Sequence, residues 1–379
     1  MSKNKDNTMD DLKRKLILLV GGITAFVIVI IIILWIVSLF AKPVYSYENI
    51  EKELVNSAKK YFNDHQENLP QSDGQIVELD YSNLVAEGYM KDLSEYTKKG
   101  VTCSAVVQVE KQGNDYLYTP FLNCVGENET YETKLLYQEI TKPENIVTAD
   151  AGLYNQGGTY VFRGEEVKNY LQLDQRLWRI MKITPNNNVV ITTDEVVGDT
   201  MCYDDRFNNE DGYDSGINDY RLSRLRSNLI KYFDSEKEGE KFLSSDDKTK
   251  LVTFSQCSGK RGINETGYDG TIECKEIVKD EKVGLITASE FIRASLDPNC
   301  KSIATKSCNN YNYLVLKNPY WLATPAKDTT QKVYYLNERR VLAETIAITY
   351  AYMRPVVYLN DRLVYKDGDG SYEHPYTLR

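Results

Sequence analysis

The sequence predicts an α+β protein. Stretches with apolar residues at helical spacing alternate irregularly with strand-like stretches, and no strand–helix–strand rhythm of a parallel sheet is present. The chain has 379 residues, 42% hydrophobic and 27% charged, which is enough to bury a sizeable core. We expect one N-terminal transmembrane helix, then a small helix-plus-antiparallel-sheet domain and a larger mixed domain.

The N-terminal helix is predicted over residues 16–40, which contain no charged side chain. About 20 apolar residues cross a bilayer, so this segment fits an uncleaved signal anchor, with a cleaved signal peptide as the alternative. The tail 1–15 carries five basic and three acidic residues. The positive-inside rule therefore predicts a single-pass protein of the cell membrane with a cytosolic N-terminus and the bulk of the chain extracellular.

The first exported domain is predicted over 44–141. Apolar residues at helical spacing from Ile50 to Tyr61 indicate an amphipathic helix over 47–64. Other elements predicted here are a strand at 75–79, a short helix at 82–87, and a hairpin of strands at 104–109 and 116–122.

The second exported domain is predicted over 142–379. Its predicted strands are 158–164, 177–183, 189–192, 283–286, 320–324, 332–336 and 354–359. Its predicted helices are 220–233, a short one near Ser245, and 287–294, which begins with a capping-box pattern. Residues 204–219 are polar and predict a loop.

Seven cysteines occur in the exported part, three pairs of them at short separations. Local disulfides are the simplest hypothesis, although sequence alone leaves 15 pairings open for six cysteines. The absence of any CxxC spacing disfavours zinc. The predicted pairs are Cys103 with Cys124, Cys257 with Cys274, and Cys300 with Cys308. Cys202 is left over, as a buried thiol or an intermolecular or redox thiol.

Two sets of residues are candidate sites. Carboxylates in the 204–219 loop are possible calcium ligands, because calcium prefers oxygen donors, although the loop lacks the EF-hand pattern and also suits a solvated loop. The candidates are Asp204, Asp205, Asp211 and Asp214. Tyrosines at strand-like alternation near the C-terminus suggest a binding surface, with sheet packing as the alternative. These are Tyr334, Tyr335, Tyr350 and Tyr352.

Composition excludes several classes of function. A net charge of −9 argues against nucleic acid as a partner, and only two histidines argue against histidine-rich metal sites and most histidine-dependent hydrolases. Two SxxK motifs occur, at 57–60 and 245–248, but the Lys-Thr-Gly and Ser-Asp-Asn motifs that accompany them in serine–lysine enzymes are missing from the sequence. No catalytic residue is predicted, and calcium is the only candidate cofactor.

Several short sequence motifs, taken in their order along the chain, resemble those of known families. They are Leu177–Ile180, the 223–233 helix, Gly284–Glu290, the cysteine-flanked 294–314 stretch, Tyr320–Pro325, Arg354–Val357 and Gly368–Tyr376. Together they resemble an uncharacterised family of surface domains from low-GC Gram-positive bacteria. Residues 150–379 are also similar to C-type-lectin-like and formylglycine-generating-enzyme folds, which implies a fold but no reaction. The 44–141 domain is similar in plan to a type IV pilin, without the prepilin cleavage signature.

These observations predict a membrane-anchored bacterial surface protein. Its pilin-like domain is expected to serve as a stalk, and its C-type-lectin-like domain to mediate non-enzymatic binding or adhesion to an unknown extracellular ligand or protein. A cell-envelope enzyme or enzyme accessory that uses two carboxylates is the alternative, and a pilus-like structural subunit is a third hypothesis.

Overall fold

The computed structural model describes residues 27–32, 45–236 and 242–379. Residues 27–32 are helical, and among the described residues no helix is both long and apolar enough to cross a membrane. The rest of the predicted transmembrane segment 16–40, and the predicted cytosolic tail 1–15, lie outside the described residues.

The described chain beyond residue 45 contains six short to medium α-helices and many strands. The helices are α1 Tyr47–Asp64, α2 Tyr81–Ala86, α3 Leu136–Ile140, α4 Arg224–Asp234, α5 Ser245–Lys248 and α6 Ala288–Ala294. The strands are β1 Ile76–Asp80, β2 Thr102–Gln112, β3 Asp115–Val125, β4 Thr130–Glu132, β5 Gly152–Gln156, β6 Thr159–Arg163, β7 Tyr170–Leu173, β8 Arg176–Ile183, β9 Val189–Thr193, β10 Val197–Cys202, β11 Leu251–Val252, β12 Phe254–Cys257, β13 Ile277–Glu281, β14 Gly284–Leu285, β15 Tyr320–Pro325, β16 Lys332–Leu336, β17 Leu342–Ile346, β18 Tyr350–Met353, β19 Pro355–Leu359, β20 Tyr365–Asp367 and β21 Thr377–Leu378.

The described chain is therefore mainly β, and the predicted α+β class was wrong. Strands dominate the described chain, and no described helix has the length and apolarity of a membrane span. The strands that the prediction missed are mostly short. β11, for example, has two residues and pairs with β19 more than one hundred positions later. So short a strand shows no alternation, because its pairing comes from tertiary contacts.

The N-terminal unit is a four-stranded antiparallel sheet, in the order β1-β2-β3-β4, covered by α1. Helix α1 is capped at its N-terminus by Ser46, whose side chain accepts a hydrogen bond from the backbone N–H of Asn49. Its apolar stripe, including Ile50, Leu54 and Phe62, is buried against the sheet. This packing gives the unit a hydrophobic cluster drawn from residues 50–124.

The C-terminal unit combines several sheets around a second cluster, drawn from residues 136–376. Its largest sheet has the order β11-β19-β9-β8-β6-β5, with β14 also paired to β19 and β7 to β8. A five-stranded sheet has the order β10-β18-β15-β16-β17, in which β15 and β18 are parallel. Trp178 and Trp321 are fully buried, one in each sheet, so both indoles belong to the core.

Three disulfides connect residues close in sequence. They join Cys103 to Cys124, Cys257 to Cys274, and Cys300 to Cys308, which are the pairs of the local hypothesis. The first lies across a directly opposed residue pair of β2 and β3. Each disulfide restricts the unfolded chain, an effect worth about 2–4 kcal/mol.

The last residues of the chain connect the two units. The Arg379 guanidinium donates to the Tyr131 hydroxyl at 2.7 Å and forms an ion pair with Glu51 of α1. Asn360 donates through its side-chain amide to the Glu110 carboxylate at 3.1 Å, and Thr119 donates to the backbone carbonyl of Arg362 at 3.2 Å. The junction is therefore made largely of polar contacts.

Candidate functional site

The connection between β10 and α4 is a long, irregular surface segment. Residues 203–219 contain neither a helix nor a strand, apart from an isolated bridge between Asn208 and Tyr213, and a single 3-10 turn follows at Tyr220–Leu222. Irregular connections of this length are uncommon in compact domains and are usually functional or disordered. We call residues 203–222 the aromatic loop, for the side chains described below.

Buried polar side chains hold the aromatic loop in place. Asp204, with no exposed surface, accepts hydrogen bonds from the Arg206 guanidinium at 2.7 Å and from the backbone N–H groups of Arg206 and Arg224. The Asn218 amide donates to three carbonyl groups, those of Ala326, Thr329 and Lys332, at 2.8–3.0 Å. Such satisfied buried groups fix one conformation of an irregular backbone.

Asn208 and Gly216 also hold the loop backbone in one compact conformation. Asn208, which is 3% exposed, donates to the backbone carbonyl of Gly216 at 2.8 Å. Gly216 has a φ of 76°, and a Cβ there would lie 2.1 Å from the Asp204 carbonyl oxygen. Only glycine fits this position, because the left-handed backbone and the close approach both exclude a side chain.

Large apolar side chains face outward from the same segment. Phe207 is 52% exposed, Tyr213 53% and Leu222 59%. Tyr350, 64% exposed, stands on β18 directly opposite Cys202, the residue that precedes the loop. We call these four side chains the aromatic rim. The loop thus exposes three large apolar side chains, while Tyr203 and Tyr220 are buried with the polar groups that hold the loop in place.

A polar groove of about 390 Å³ is lined in part by residues of the aromatic loop. It is lined by side chains that can donate or accept hydrogen bonds, among them Asn209, Glu210, Arg221, Lys260 and Glu276. Arg221 also holds Asp219 in the groove through two hydrogen bonds, the shorter at 2.7 Å. Burial alone raises the pKa of Asp219, but the Arg221 guanidinium and the backbone N–H groups of Arg221 and Leu222 together outweigh it and hold that pKa below its ordinary value.

The predicted calcium ligands do not converge. Asp204 is held by Arg206, Asp205 pairs with Arg224 at 2.7 Å, and Asp211 accepts from Ser215 at 2.8 Å. No cluster of three or more histidine, cysteine, aspartate or glutamate side chains that could hold a metal occurs in the part of the chain that the structure describes. Calcium binding stays a prediction without a ligand set in the described chain.

The predicted tyrosine surface does not form as one patch. Tyr334 is fully buried and donates to the Arg261 carbonyl at 3.0 Å, and Tyr335 packs on Trp321 with ring centroids 5.6 Å apart. These two stand on β16, whereas Tyr350 and the half-buried Tyr352 stand on β18, and β15 separates the two strands. Of the four, only Tyr350 is largely exposed and joins the aromatic rim.

Cys202 is half-buried, with its Sγ 3.3 Å from the carbonyl oxygen of Ile348. It forms no disulfide. The sequence prediction missed Phe207, Tyr213 and Leu222. For Phe207 and Tyr213 the available signal was large apolar residues set singly inside a polar, glycine-containing stretch, where no core-forming periodicity explains them. Leu222 was predicted to face inward on the 220–233 helix, but the helix begins at Arg224 and leaves Leu222 exposed.

No family model matches the chain, and comparisons with curated proteins and with solved structures find no similar protein. The resemblances to a Gram-positive surface-domain family, to lectin-like folds and to pilins therefore stay predictions.

Proposed function

We propose that the protein is a non-enzymatic binding module that acts outside the cytosol and attaches to carbohydrate through the aromatic loop. The observation that supports the proposal is the exposure of large apolar side chains on a loop that buried polar side chains hold in place. Asp204, Ser215 and Asn218 are at most 1% exposed, whereas Phe207 and Tyr213 are more than half exposed.

Folding stability does not explain this arrangement. A buried phenylalanine or leucine side chain contributes about 1.5–3 kcal/mol relative to an exposed one, and the rim gives up much of that contribution. Single exposed apolar residues are ordinary, but here they gather on one loop and the adjoining strand, which marks an interaction site. The buried hydrogen bonds hold the rim rigid, so little conformational entropy is lost on binding.

Carbohydrate is the ligand class that matches both parts of the site. A sugar ring has apolar C–H faces, which pack on aromatic rings such as Tyr213, and hydroxyl edges that donate and accept hydrogen bonds. The amide and carboxylate groups of Asn209, Glu210 and Glu276 in the polar groove supply acceptors and donors for those hydroxyls.

The proposed location rests on the cysteines. Three disulfides in one chain are typical of proteins that fold in an oxidising compartment, because cytosolic thiols are kept reduced. A binding module outside the cytosol also has access to envelope and extracellular polysaccharides.

The test is a glycan array probed with the full-length chain, compared with a Phe207→Ser/Tyr213→Ser double variant. We expect wild-type binding to a defined glycan class and at least a tenfold loss of affinity in the double variant, with unchanged melting temperature because both rings are exposed. Tyr372→Ser is the matched control, since Tyr372 is 63% exposed but lies outside the loop. Binding to proteins alone, or equal binding by the double variant, would contradict the proposal.

A further inference from the structure

A long trench runs along the boundary between the two units. One cavity, of about 580 Å³, lies between the end of the β2–β3 hairpin and the segment around α5 and β11. A second, of about 540 Å³, lies between α1, β3 and the same segment. Asp115 and Thr249 line both cavities, so the two are adjacent. An elongated ligand suits this shape better than a compact one, and each cavity is within the size range of ligand sites.

Gln112 lines the first cavity at the last position of β2. Both its side-chain nitrogen and its side-chain oxygen are buried without a hydrogen-bond partner. A buried amide normally has partners, because an unmade hydrogen bond leaves the full cost of desolvation. The residue therefore supplies one donor and one acceptor that nothing in the described protein uses.

Charges of both signs accompany this amide. Lys282 and Asp115 line the first cavity, and neither forms an ion pair with any described residue. A ligand that offers an amide to Gln112 and carries mixed charges along its length would satisfy all three groups. A polypeptide in extended conformation has this chemistry, since every peptide unit provides both a donor and an acceptor.

We propose that the trench binds an extended peptide segment of a partner protein, with the Gln112 side chain paired to a peptide unit of that segment. Lys282 and Asp115 then select acidic and basic side chains on either side of this contact. The site is separate from the aromatic loop and does not depend on the carbohydrate proposal.

The first test measures the stability of the protein without ligand. Gln112→Leu keeps the approximate shape of the side chain but removes the unpaired amide. If the Gln112 amide serves to bind a ligand, we expect the variant to be at least as stable to urea as the wild type, because no internal hydrogen bond is lost. A clear loss of stability would show that Gln112 is a structural residue and would overturn the proposal.

The second test identifies peptide ligands and measures their affinity. Random peptides displayed on phage are selected against the full-length chain, and the enriched peptides are synthesised. We expect Gln112→Leu to weaken their dissociation constants about tenfold, as for the loss of one to two hydrogen bonds. Lys282→Gln weakens the binding of peptides with acidic residues, whereas Lys279→Gln, on an exposed lysine outside the cavity lining, leaves it unchanged.

The outcomes separate this proposal from the proposed function. Peptides bound at the trench keep their affinity for the Phe207→Ser/Tyr213→Ser double variant, while glycan binding is unaffected by Gln112→Leu. Failure to enrich any peptide, or enriched peptides whose affinity is unchanged by Gln112→Leu, would overturn the trench proposal. Peptides that lose affinity only in the double variant would place the binding site on the aromatic loop instead.

Discussion

Replacement of Arg379 by alanine should destabilise the junction between the two units. Glu51, near the N-terminal end of α1, is 1% exposed, and its carboxylate accepts hydrogen bonds from the hydroxyls of Tyr131 (2.7 Å) and Thr133. Arg379 is the cation that pairs with it. Arg379→Ala therefore leaves a buried carboxylate with two neutral donors and no countercharge.

The expected cost follows from that geometry. Removing one partner of a buried ion pair costs about 3–5 kcal/mol, because the other charge stays desolvated. Two hydroxyl donors remain on Glu51, and the Arg379 side chain is 17% exposed, so we expect the lower end, about 3 kcal/mol. Urea unfolding followed by near-ultraviolet circular dichroism measures this difference.

A double variant separates the lost charge pair from lost packing. Glu51→Gln combined with Arg379→Ala removes both charges and should recover most of the stability lost in the single variant. Arg339→Ala, at an exposed arginine without an ion pair among the described residues, is the control and should change stability by less than about 0.5 kcal/mol. A single variant as stable as wild type, or a double variant no better than the single, would refute the reasoning.

Three further outcomes are expected. Gly216→Ala should lower the free energy of unfolding in urea by about 1–3 kcal/mol, because the new Cβ would meet the Asp204 carbonyl oxygen. Gly113→Ala is the control and should cost less, since Gly113 has a similar φ but no atom within 4 Å of the Cβ position. Equal losses in the two variants would contradict the close approach at Gly216. Burial raises the pKa of Glu290, but Lys182, 2.7 Å away, and the N–H and hydroxyl of Thr287 together outweigh it and hold that pKa below its ordinary 4.5. The stabilisation is therefore complete above pH 4.5 and is lost as the pH falls through the lower folded-state pKa. Glu290→Gln should flatten the acid limb of the stability–pH curve, and an unchanged limb would exclude this pair as its source. Reduction of the three disulfides should lower the urea midpoint, with six newly reactive thiols in a thiol titration.

Sequence patterns predicted those helices and strands whose apolar residues recur at regular spacing within the element itself. The α1 helix follows from apolar residues at a spacing of three to four, and the β2–β3 hairpin from alternation on both sides of a turn at Gly113. Strands such as β11 and β21, each with two residues, could not be predicted, because their hydrogen-bond partners are supplied by distant strands. These missed strands account for the wrong fold class.

The site was predicted less well than the fold, for a different reason. The sequence shows that Asp204 is acidic but not that Arg206 folds back onto its carboxylate and that backbone N–H groups complete its hydrogen bonds. It likewise shows that Tyr334 and Tyr350 lie on strand-like segments but not which one the sheet buries. Exposure is decided by tertiary packing, so the aromatic rim became visible only in the folded structure.

The most direct test of the proposed function is hydrogen–deuterium exchange of the full-length chain with and without the glycan selected on the array. We expect slower exchange in residues 203–222 and in β18, where the aromatic rim lies, and no change in the β2–β3 turn at residues 112–115. Protection confined to other segments, or none at saturating glycan, would contradict the assignment of carbohydrate binding to the aromatic loop.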